Sequence, residues 1–393
     1  MKRSCLLYTL FPVLRFLPFF LLSFLLFIAP VSLYAEPLYS PTWGFRLDLP
    51  EGYSYLEGNN IDRYSFQGPD GAMFDIAVYS GVYQGIEQMS LDIGRRLDNK
   101  GDTAFFDYGG KAAALIELRF RDSAGWGLCV ELSGGGGEKN PPLLLALAYA
   151  PAAKNDMDIF HLSALDSIAP SEAERLFPGP VTEFSYPRGR QKETAVAATG
   201  LRALIYEHDA EAAQALVDRE FSLLIRYQSS KLWKEAWIRY YRAIYRDSWD
   251  RVSGAVSALA RNWASGAAPD GDSGERAFAE KALSFVQDFE YERVLAGSDF
   301  INLVTAVTEG RGDCDSRAML WAMILIKADI PAAMMVSRSY SHAMGLAGIP
   351  GGGARYESGG INWLVAETTG KVGLGLINAD MSDTANWIGV LFE

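Results

Sequence analysis

The chain has 393 residues, of which 49% are hydrophobic and 21% are charged, and its formal net charge is −12. This composition is typical of a globular protein and excludes general disorder and a multi-span membrane protein. At about 100 to 200 residues per domain, the length predicts two folded domains with connecting structure. Because the chain is acidic and has no dense run of Lys or Arg, we expect no nucleic-acid partner.

The first 35 residues are typical of an export signal. Two basic residues near the start are followed by an apolar stretch, Phe16 to Ile28, and small or turn residues then lead to Ala35. Pro18 and Pro30 interrupt the apolar region, which favours a signal peptide over residues 1–35 that is cleaved near Ala35; an uncleaved anchor is the alternative. We therefore expect a periplasmic or secreted protein that touches the membrane only through an uncleaved N-terminal segment.

The three cysteines, Cys5, Cys129 and Cys314, do not make a disulfide framework. Cys5 leaves with a cleaved signal, so at most one pair remains, whereas exported domains stapled by disulfides carry an even and denser set. Cys129 lies close to Trp126 in sequence and is predicted to be a packed thiol. A free cysteine in an oxidising compartment needs a reason, which directs attention to Cys314.

Residues 36–170 are predicted to form an α+β domain. Runs of alternating or apolar residues between Gly, Asp and Pro turns predict strands at Gly44–Leu49, Ala72–Tyr79, Ala112–Phe120 and Leu143–Tyr149. Apolar residues recur at helical spacing in Ile86–Leu97, which predicts a helix packed on the sheet. The opening segment Gly44–Gly52, a late apolar strand and the closing Leu165–Ile168 resemble exported modules of the Mog1/PsbP-like fold. That resemblance implies a small binding or spacer domain without chemistry of its own.

The middle of the chain connects two folded parts. Residues 171–193 are rich in Pro, Glu and Arg without periodicity and are predicted to be a linker. Residues 194–272 are predicted to be a helical segment, whose stripe of Trp and Tyr we interpret as core packing rather than a carbohydrate platform. A Gly/Pro/Asp loop follows at 265–274. Its fragment Asp270–Gly274 lacks the later Glu of a calcium loop, so a simple loop is favoured.

The segment with chemical character lies in the last predicted domain, residues 273–393. Glu309 to Ala318 includes Asp313 and Cys314 and precedes the apolar run Met319–Ile326, so Cys314 is predicted at the start of a helix. Asp313 is a suitable N-cap, and two flanking glycines allow a sharp turn into the helix. The free amides and positive dipole end of a helix favour a thiolate, so this position suits a cysteine nucleophile.

Two strands after this helix carry the expected partners of Cys314. Ala332–Val336 and His342–Leu346 are predicted strands, and Asn362–Thr368 is another that ends with Glu367 in an apolar run. A buried carboxylate is costly unless it is paired, and a histidine is a suitable partner. His161 and His208 have no such context and are interpreted as ordinary core or surface residues.

Four segments in order resemble the bacterial transglutaminase-like cysteine proteases and their relatives. They are Phe285–Tyr291, Gly312-Asp-Cys-Asp315, Ser341-His342-Ala343 and Ala366-Glu367-Thr368, and the resemblance covers Phe278 to Thr369. It implies a papain-like α+β fold, a site in the cleft between helix and sheet, and acyl-enzyme chemistry on the amide of a protein or peptide. The implied roles are nucleophile for Cys314, base for His342 and orienting acid for Glu367.

The sequence departs from the family in two places. Family members most often have Asp as the third residue, so Asp380 and Asp383 remain alternatives to Glu367. The glycine-rich stretch Gly348–Gly360 is interpreted as a hairpin loop over the site that could act as a lid.

Calcium and the type of reaction also stay open. Some relatives bind calcium through acids beside the cysteine, so Asp313 and Asp315 are calcium candidates as well as capping residues; we expect no other cofactor. Hydrolysis is favoured because water is available outside the cytoplasm, while an amine acceptor would give cross-linking with the same residues. The alternative from another class is a catalytically silent envelope module that binds a peptide or glycan.

Overall fold

A computed structural model of the chain describes residues 37–133, 140–154, 156–264, 272–293 and 297–392. The predicted signal peptide lies outside these residues, as do positions 265–271 of the predicted loop. Within the described ranges, every helix is too short or too polar to cross a membrane. The chain has an α+β fold, as predicted, with a sheet domain at its N-terminal side.

The N-terminal part is a seven-stranded antiparallel sheet. Its strands run in the order β3-β4-β5-β9-β8-β7-β6, and a short β1-β2 pair precedes them. The elements are β1 (Leu38–Tyr39), β2 (Arg46–Leu47), β3 (Ser54–Gly58), β4 (Arg63–Gln67), β5 (Met73–Tyr79), α1 (Ile86–Leu97), β6 (Thr103–Tyr108), β7 (Lys111–Phe120), β8 (Ser123–Glu131), β9 (Leu143–Pro151) and α2 (Asp158–Asp166). The predicted helix and the three later predicted strands are confirmed, whereas the Gly44–Leu49 strand shortens to β2.

Both faces of this sheet are covered by helices. Successive residues of a strand point to opposite sides, so each strand contributes side chains to both cores. On β7, Ala113 and Leu115 face the core under α2, and Ala114 and Ile116 face α1. Cys129 is fully buried on the α1 side, and burial raises its pKa to about 12. The prediction of a packed thiol at this position is confirmed.

The segment predicted as a linker has regular structure. Residues 171–193 include α3 (Pro180–Ser185), whose first three residues are buried, and the start of the hairpin of β10 (Gln191–Ala195) and β11 (Arg202–Tyr206). The helical prediction for residues 194–206 is therefore wrong. In β11 Leu204 is exposed while Ala203 and Ile205 are buried, which is the period of a strand.

Two helices join the N-terminal sheet to the rest of the chain, α4 (Asp209–Ile225) and the 32-residue α5 (Trp233–Ala264). Arg242 of α5 makes a bidentate ion pair with Asp48, and Arg239 pairs with Glu220 at 2.8 Å. Tyr240 and Tyr241 are buried, which confirms the core interpretation for them, whereas Trp233 and Trp237 are only half-buried.

The C-terminal part is a five-stranded antiparallel sheet in the order β16-β17-β15-β14-β18, with helices on one face. Its elements are α6 (Asp272–Gln287), β12 (Glu290–Tyr291), α7 (Leu303–Glu309), β13 (Arg311–Gly312), α8 (Cys314–Ile326), β14 (Ala332–Ser337), β15 (His342–Ala347), β16 (Arg355–Ser358), β17 (Ile361–Ala366) and β18 (Ile388–Val390). The predicted helix after Cys314 and the three predicted strands are confirmed.

The glycine-rich stretch Gly348–Gly360 begins at the end of β15 opposite to His342, and it contains the edge strand β16. At about 3.3 Å per residue, the six residues of β15 put its two ends roughly 17 Å apart. Further along the stretch, the hydroxyl of Tyr356 donates to the carbonyl of Trp387 at 3.2 Å, and the ring of Trp387 packs against His342. The predicted hairpin is confirmed, since β16 pairs with β17, and the lid stays a prediction.

Candidate active site

Cys314 is the first residue of α8, as the sequence predicted. The carboxylate of Asp313 accepts hydrogen bonds from the backbone amides of Asp315 and Ser316 at 3.3 and 3.1 Å, so Asp313 is the N-cap. It also accepts the amide of Ile301 at 3.3 Å. A first-turn amide has no acceptor within its own helix, so the Cys314 N–H remains free of the α8 ladder.

The chain that leads into α8 is held by a buried arginine. Arg317 donates from Nε to the carbonyl of Gly312 at 3.1 Å and from Nη2 to the carbonyl of Phe289 at 2.7 Å. Gly310 turns the chain with a φ of 70°, a conformation that favours glycine. These contacts fix the position of the cysteine on rigid elements.

His342 and Glu367 form a pair on two neighbouring strands. His342 begins β15, Glu367 follows β17, and the distance from Nε2 to Oε2 is 2.9 Å. The other oxygen of Glu367 accepts the backbone amides of Thr369 at 2.7 Å and Gly370 at 3.2 Å. Asp380 and Asp383 are exposed in the loop before β18, so Glu367 is the carboxylate that contacts His342.

The sulfur of Cys314 lies at the same end of β15 as His342. The backbone amide of Ala343, the next residue after His342, hydrogen bonds to this sulfur. Because Nε2 of His342 is engaged by Glu367, the nitrogen that remains for a proton from sulfur is Nδ1. The ring of Trp387 packs edge-on against the imidazole, with ring centroids 6.4 Å apart.

The electrostatics around Cys314 differ from the expectation of a resting thiolate. Burial raises the pKa of Cys314 well above that of an ordinary thiol, and Asp315 and Asp313 raise it further. The sulfur donates to Oδ1 of Asp315 at 3.7 Å, and its residue is 5% exposed. The capping carboxylate of Asp313 occupies the positive end of the helix, which removes the stabilisation that the sequence argument assigned to a thiolate.

Asp315 is a buried acid whose proton matters to the site. Burial, followed by the charges of Asp313 and Asp299, raises its pKa well above the usual value of a carboxyl. Its Oδ2 accepts the hydroxyl of Tyr241 at 3.0 Å. Burial also raises the pKa of Asp313 to about 6. A neutral Asp315 carboxyl is an acid that can donate to sulfur as well as accept from it.

The residues proposed for calcium do not fit the ion well. Ligand atoms of Asp313, Cys314 and Asp315 lie within 4.8 Å of one another. Calcium takes about six to eight oxygen ligands, whereas both oxygens of Asp313 already accept backbone amides and Asp315 is held by Tyr241. No step is therefore assigned to a metal at these positions.

Sequence reasoning missed several residues that support the site. Tyr241 and Trp387 contact it from distant parts of the chain, and Gln287 donates from Nε2 to the carbonyl of Glu367 at 2.8 Å. Gln287 lies within the segment Phe285–Tyr291 that carried the family resemblance, so only this residue had a signal in the sequence.

The pair of His342 and Glu367 makes the free energy of unfolding depend on pH. Burial alone would raise the pKa of Glu367, but the hydrogen bond and charge of His342 and the bonds from Thr369 outweigh it and lower the pKa to about 2. An acid with a lowered folded-state pKa stabilises the fold above its unfolded value of 4.5, and that stability is lost as pH falls toward 2.

We expect Glu367→Gln to lower the free energy of unfolding by about 2 to 3 kcal/mol at pH 7. The difference from wild type should shrink steadily as pH is lowered from 5 to 2.5, as measured by urea denaturation. Glu357→Gln, which changes an exposed glutamate of β16, is the matched control with an expected effect within about 0.5 kcal/mol. A Glu367→Gln penalty that is constant with pH would contradict the ion-pair explanation.

The solved structures that match this chain include two of low similarity. No family model and no curated protein matches the chain. One structure, from Bacteroides thetaiotaomicron, is 9% identical over 75% of this chain and 97% of that chain, with a TM-score of 0.23. The other, from Parabacteroides distasonis and provisionally described as a protease, is 9% identical over 78% of this chain and 69% of that chain, with a TM-score of 0.22. Scores this low carry no conclusion about fold or activity.

Proposed function

We propose that this protein is a cysteine-dependent amide hydrolase of the transglutaminase-like class that acts on a peptide outside the cytoplasm. The proposal is carried by one arrangement: the sulfur of a cysteine at a capped helix start accepts the backbone amide of Ala343, and the preceding residue, His342, is hydrogen bonded to a carboxylate at 2.9 Å. A nucleophile beside a base, with the base oriented by a third group, is the general requirement for acyl transfer through a thioester.

In the proposed reaction, His342 takes the proton from Cys314 at Nδ1 while the sulfur attacks the amide carbonyl. The Cys314 backbone amide then donates to the oxygen that becomes negative. As the C–N bond breaks, the His342 imidazolium gives its proton to the leaving amine, and a thioester remains on Cys314. Water, deprotonated by the same imidazole, hydrolyses the thioester to a carboxylic acid and restores the thiol.

A neutral Cys314 thiol in the free protein is compatible with this order of reaction steps. A thiolate formed beside an ionised Asp315 would be repelled, but a protonated Asp315 presents a hydrogen-bond donor instead of a charge. Transfer of the proton to His342 also creates a thiolate–imidazolium pair, in which each charge stabilises the other. Formation of the nucleophile would then depend on His342.

A second candidate is a binding module without turnover. It is favoured by the hydrogen bond from the Cys314 thiol to Asp315, because a thiol proton that is donated to Asp315 is not donated to His342. A cross-linking reaction remains the variant of the first proposal in which an amine replaces water. We favour hydrolysis because an extracytoplasmic site would always have water available.

The dependence of Cys314 alkylation by iodoacetamide on His342 distinguishes activity from silent binding. We expect the rate at pH 7, followed by mass spectrometry of the Cys314 peptide, to fall at least about tenfold in His342→Ala. His208→Ala, which changes an exposed histidine far from the site in sequence, is the matched control and should label at the wild-type rate. Equal, slow labelling of wild type and His342→Ala would favour the silent binding module.

A further inference from the structure

A groove of about 240 Å³ opens between α4, α5 and the turn at 338–341 that leads into His342. Apolar and aromatic side chains form most of its walls, with two carboxyls and one guanidinium. Its principal lining residues are Phe221, Ile225, Trp233, Trp237, Asp315 and Arg338.

The aromatic wall leads to the nucleophile. Trp233, Trp237 and Tyr241 follow one another along α5, with ring centroids 6.0 and 6.3 Å apart. The hydroxyl of Tyr241 bonds to Asp315 at 3.0 Å, and Asp315 accepts from the sulfur of Cys314 at 3.7 Å. Asp315 therefore links the groove, which it lines, to the thiol that the proposed reaction uses.

Arg338 provides a cation at the open side of the groove. Its guanidinium lies over the ring of Trp233, 5.6 Å from the centroid, and its side chain is exposed. It makes no ion pair with any residue in the described part of the chain, although acidic residues outnumber basic ones by 48 to 36. Asp299, the other acid of the lining, is paired with Arg293 at 2.6 Å. A carboxylate on a ligand is the natural partner for this guanidinium.

We infer that this groove is the acyl-donor subsite and that it binds a peptide segment carrying an apolar or aromatic side chain next to a carboxylate. The inference rests on the proposed function, since the groove is assigned as a subsite through Asp315, which lines it and contacts Cys314. The aromatic wall would bury the apolar side chain, and Arg338 would bind the carboxylate.

An acidic, apolar peptide suits the groove better than a glycan. Glycan binding needs several free polar groups for hydroxyls, whereas Asp315 is held by Tyr241 and Asp299 by Arg293. Trp233 and Trp237 are tilted by 40° to each other, and the face of Trp233 is covered by Arg338. Besides the apolar side chains, the groove therefore offers the amide of Gln228 and one cation, which are few polar groups for a glycan.

The test compares three tripeptide chloromethyl ketones, Glu-Phe-Ala, Lys-Phe-Ala and Glu-Gly-Ala, as labels of Cys314. Each rate is divided by the iodoacetamide rate of the same protein, which removes changes in intrinsic thiol reactivity. We expect Glu-Phe-Ala to label fastest, by about tenfold over each of the others. Arg338→Ala should remove the preference over Lys-Phe-Ala, and Arg338→Lys should retain part of it. Trp237→Ala should remove the preference over Glu-Gly-Ala.

Matched controls are Arg95→Ala and Phe105→Ala, which remove an exposed cation and an exposed aromatic ring from the N-terminal sheet domain. Both should keep the wild-type preferences. If Trp237→Ala fails to fold, Arg338→Ala still tests the groove, because Arg338 is exposed and its replacement should leave the fold intact. Equal rates for the three labels, or preferences that survive both groove replacements, would overturn the inference.

Failure of the proposed function gives a different pattern from failure of the groove. If iodoacetamide labelling does not depend on His342, the hydrolase proposal fails, and the groove is tested by binding of the unreactive amide Ac-Glu-Phe-Ala-NH₂ to Cys314→Ala. Saturable quenching of tryptophan fluorescence that Arg338→Ala weakens about tenfold supports the groove. No binding of the peptide, or binding of a chitin oligosaccharide in its place, overturns it.

Discussion

Cys314→Ala should abolish acyl transfer while the fold persists. Removal of the nucleophile takes away the thioester route, so we expect the rate of p-nitrophenol release from the p-nitrophenyl ester of N-acetylphenylalanine to fall by at least about 10⁴-fold. The sulfur makes a weak bond to Asp315 at 3.7 Å and is one buried atom, so the free energy of unfolding should fall by about 1 to 2 kcal/mol, which leaves the protein folded.

The same chemical change at Cys129 provides the matched control. Cys129 is fully buried between β8 and α1, remote in sequence from the site, and its thiol packs as an apolar group. Cys129→Ala should lose about 1 to 2 kcal/mol of stability through the cavity it leaves, with the esterase rate unchanged. Full activity in Cys314→Ala would overturn the mechanism, and loss of activity in both variants would show that folding, rather than chemistry, is being measured.

Elements defined by short-range patterns could be predicted from the sequence. The helix Ile86–Leu97 has its apolar residues on one face, and α8 begins at an Asp cap followed by an unbroken apolar run. These signals are local, because a helix satisfies its hydrogen bonds within itself. The order of Cys314, His342 and Glu367 on a helix and two strands was predictable because the apolar runs of the two strands are also short-range patterns.

Features that depend on distant partners could not be predicted. The hairpin of β10 and β11 has an ambiguous short apolar pattern, and its pairing decides its structure. The position of Gly348–Gly360 follows from the direction of β15 and from the pairing of β16 with β17, which the sequence of the loop does not encode. The state of the Cys314 thiol depends on Asp315 and on Tyr241, which is 74 residues away from Asp315 in the chain.

Gly345→Ala should disrupt the contact that aligns the two halves of the proposed active site. Gly345 lies in β15 opposite Trp321 of α8, and an added Cβ would stand 2.3 Å from Cε3 of that ring. Trp321 is fully buried and donates from Nε1 to the carbonyl of Ala279 at 3.1 Å, so it has little freedom to retreat. Overpacking of this kind costs about 1 to 3 kcal/mol of unfolding free energy.

The effect on activity should exceed the effect on stability, because α8 carries Cys314 and β15 carries His342. A displacement of about 1 Å between reacting groups can reduce a rate about 100-fold, so we expect the p-nitrophenyl ester rate to fall by that order in protein that is still folded. Gly373→Ala is the matched control: its added Cβ would meet no atom within 4 Å, and both stability and rate should remain near wild type.

A double-mutant cycle with Trp321→Phe tests the cause directly. The smaller ring leaves space at the position of the alanine Cβ, so Gly345→Ala should cost less unfolding free energy in the Trp321→Phe background than in wild type, with an interaction energy of about 1 kcal/mol or more. Additive losses would show that the glycine is needed for another reason, such as the backbone of β15 itself. A coupled loss of stability and rate, relieved by the smaller ring, would identify the contact between Gly345 and Trp321 as the one that sets the distance between nucleophile and base.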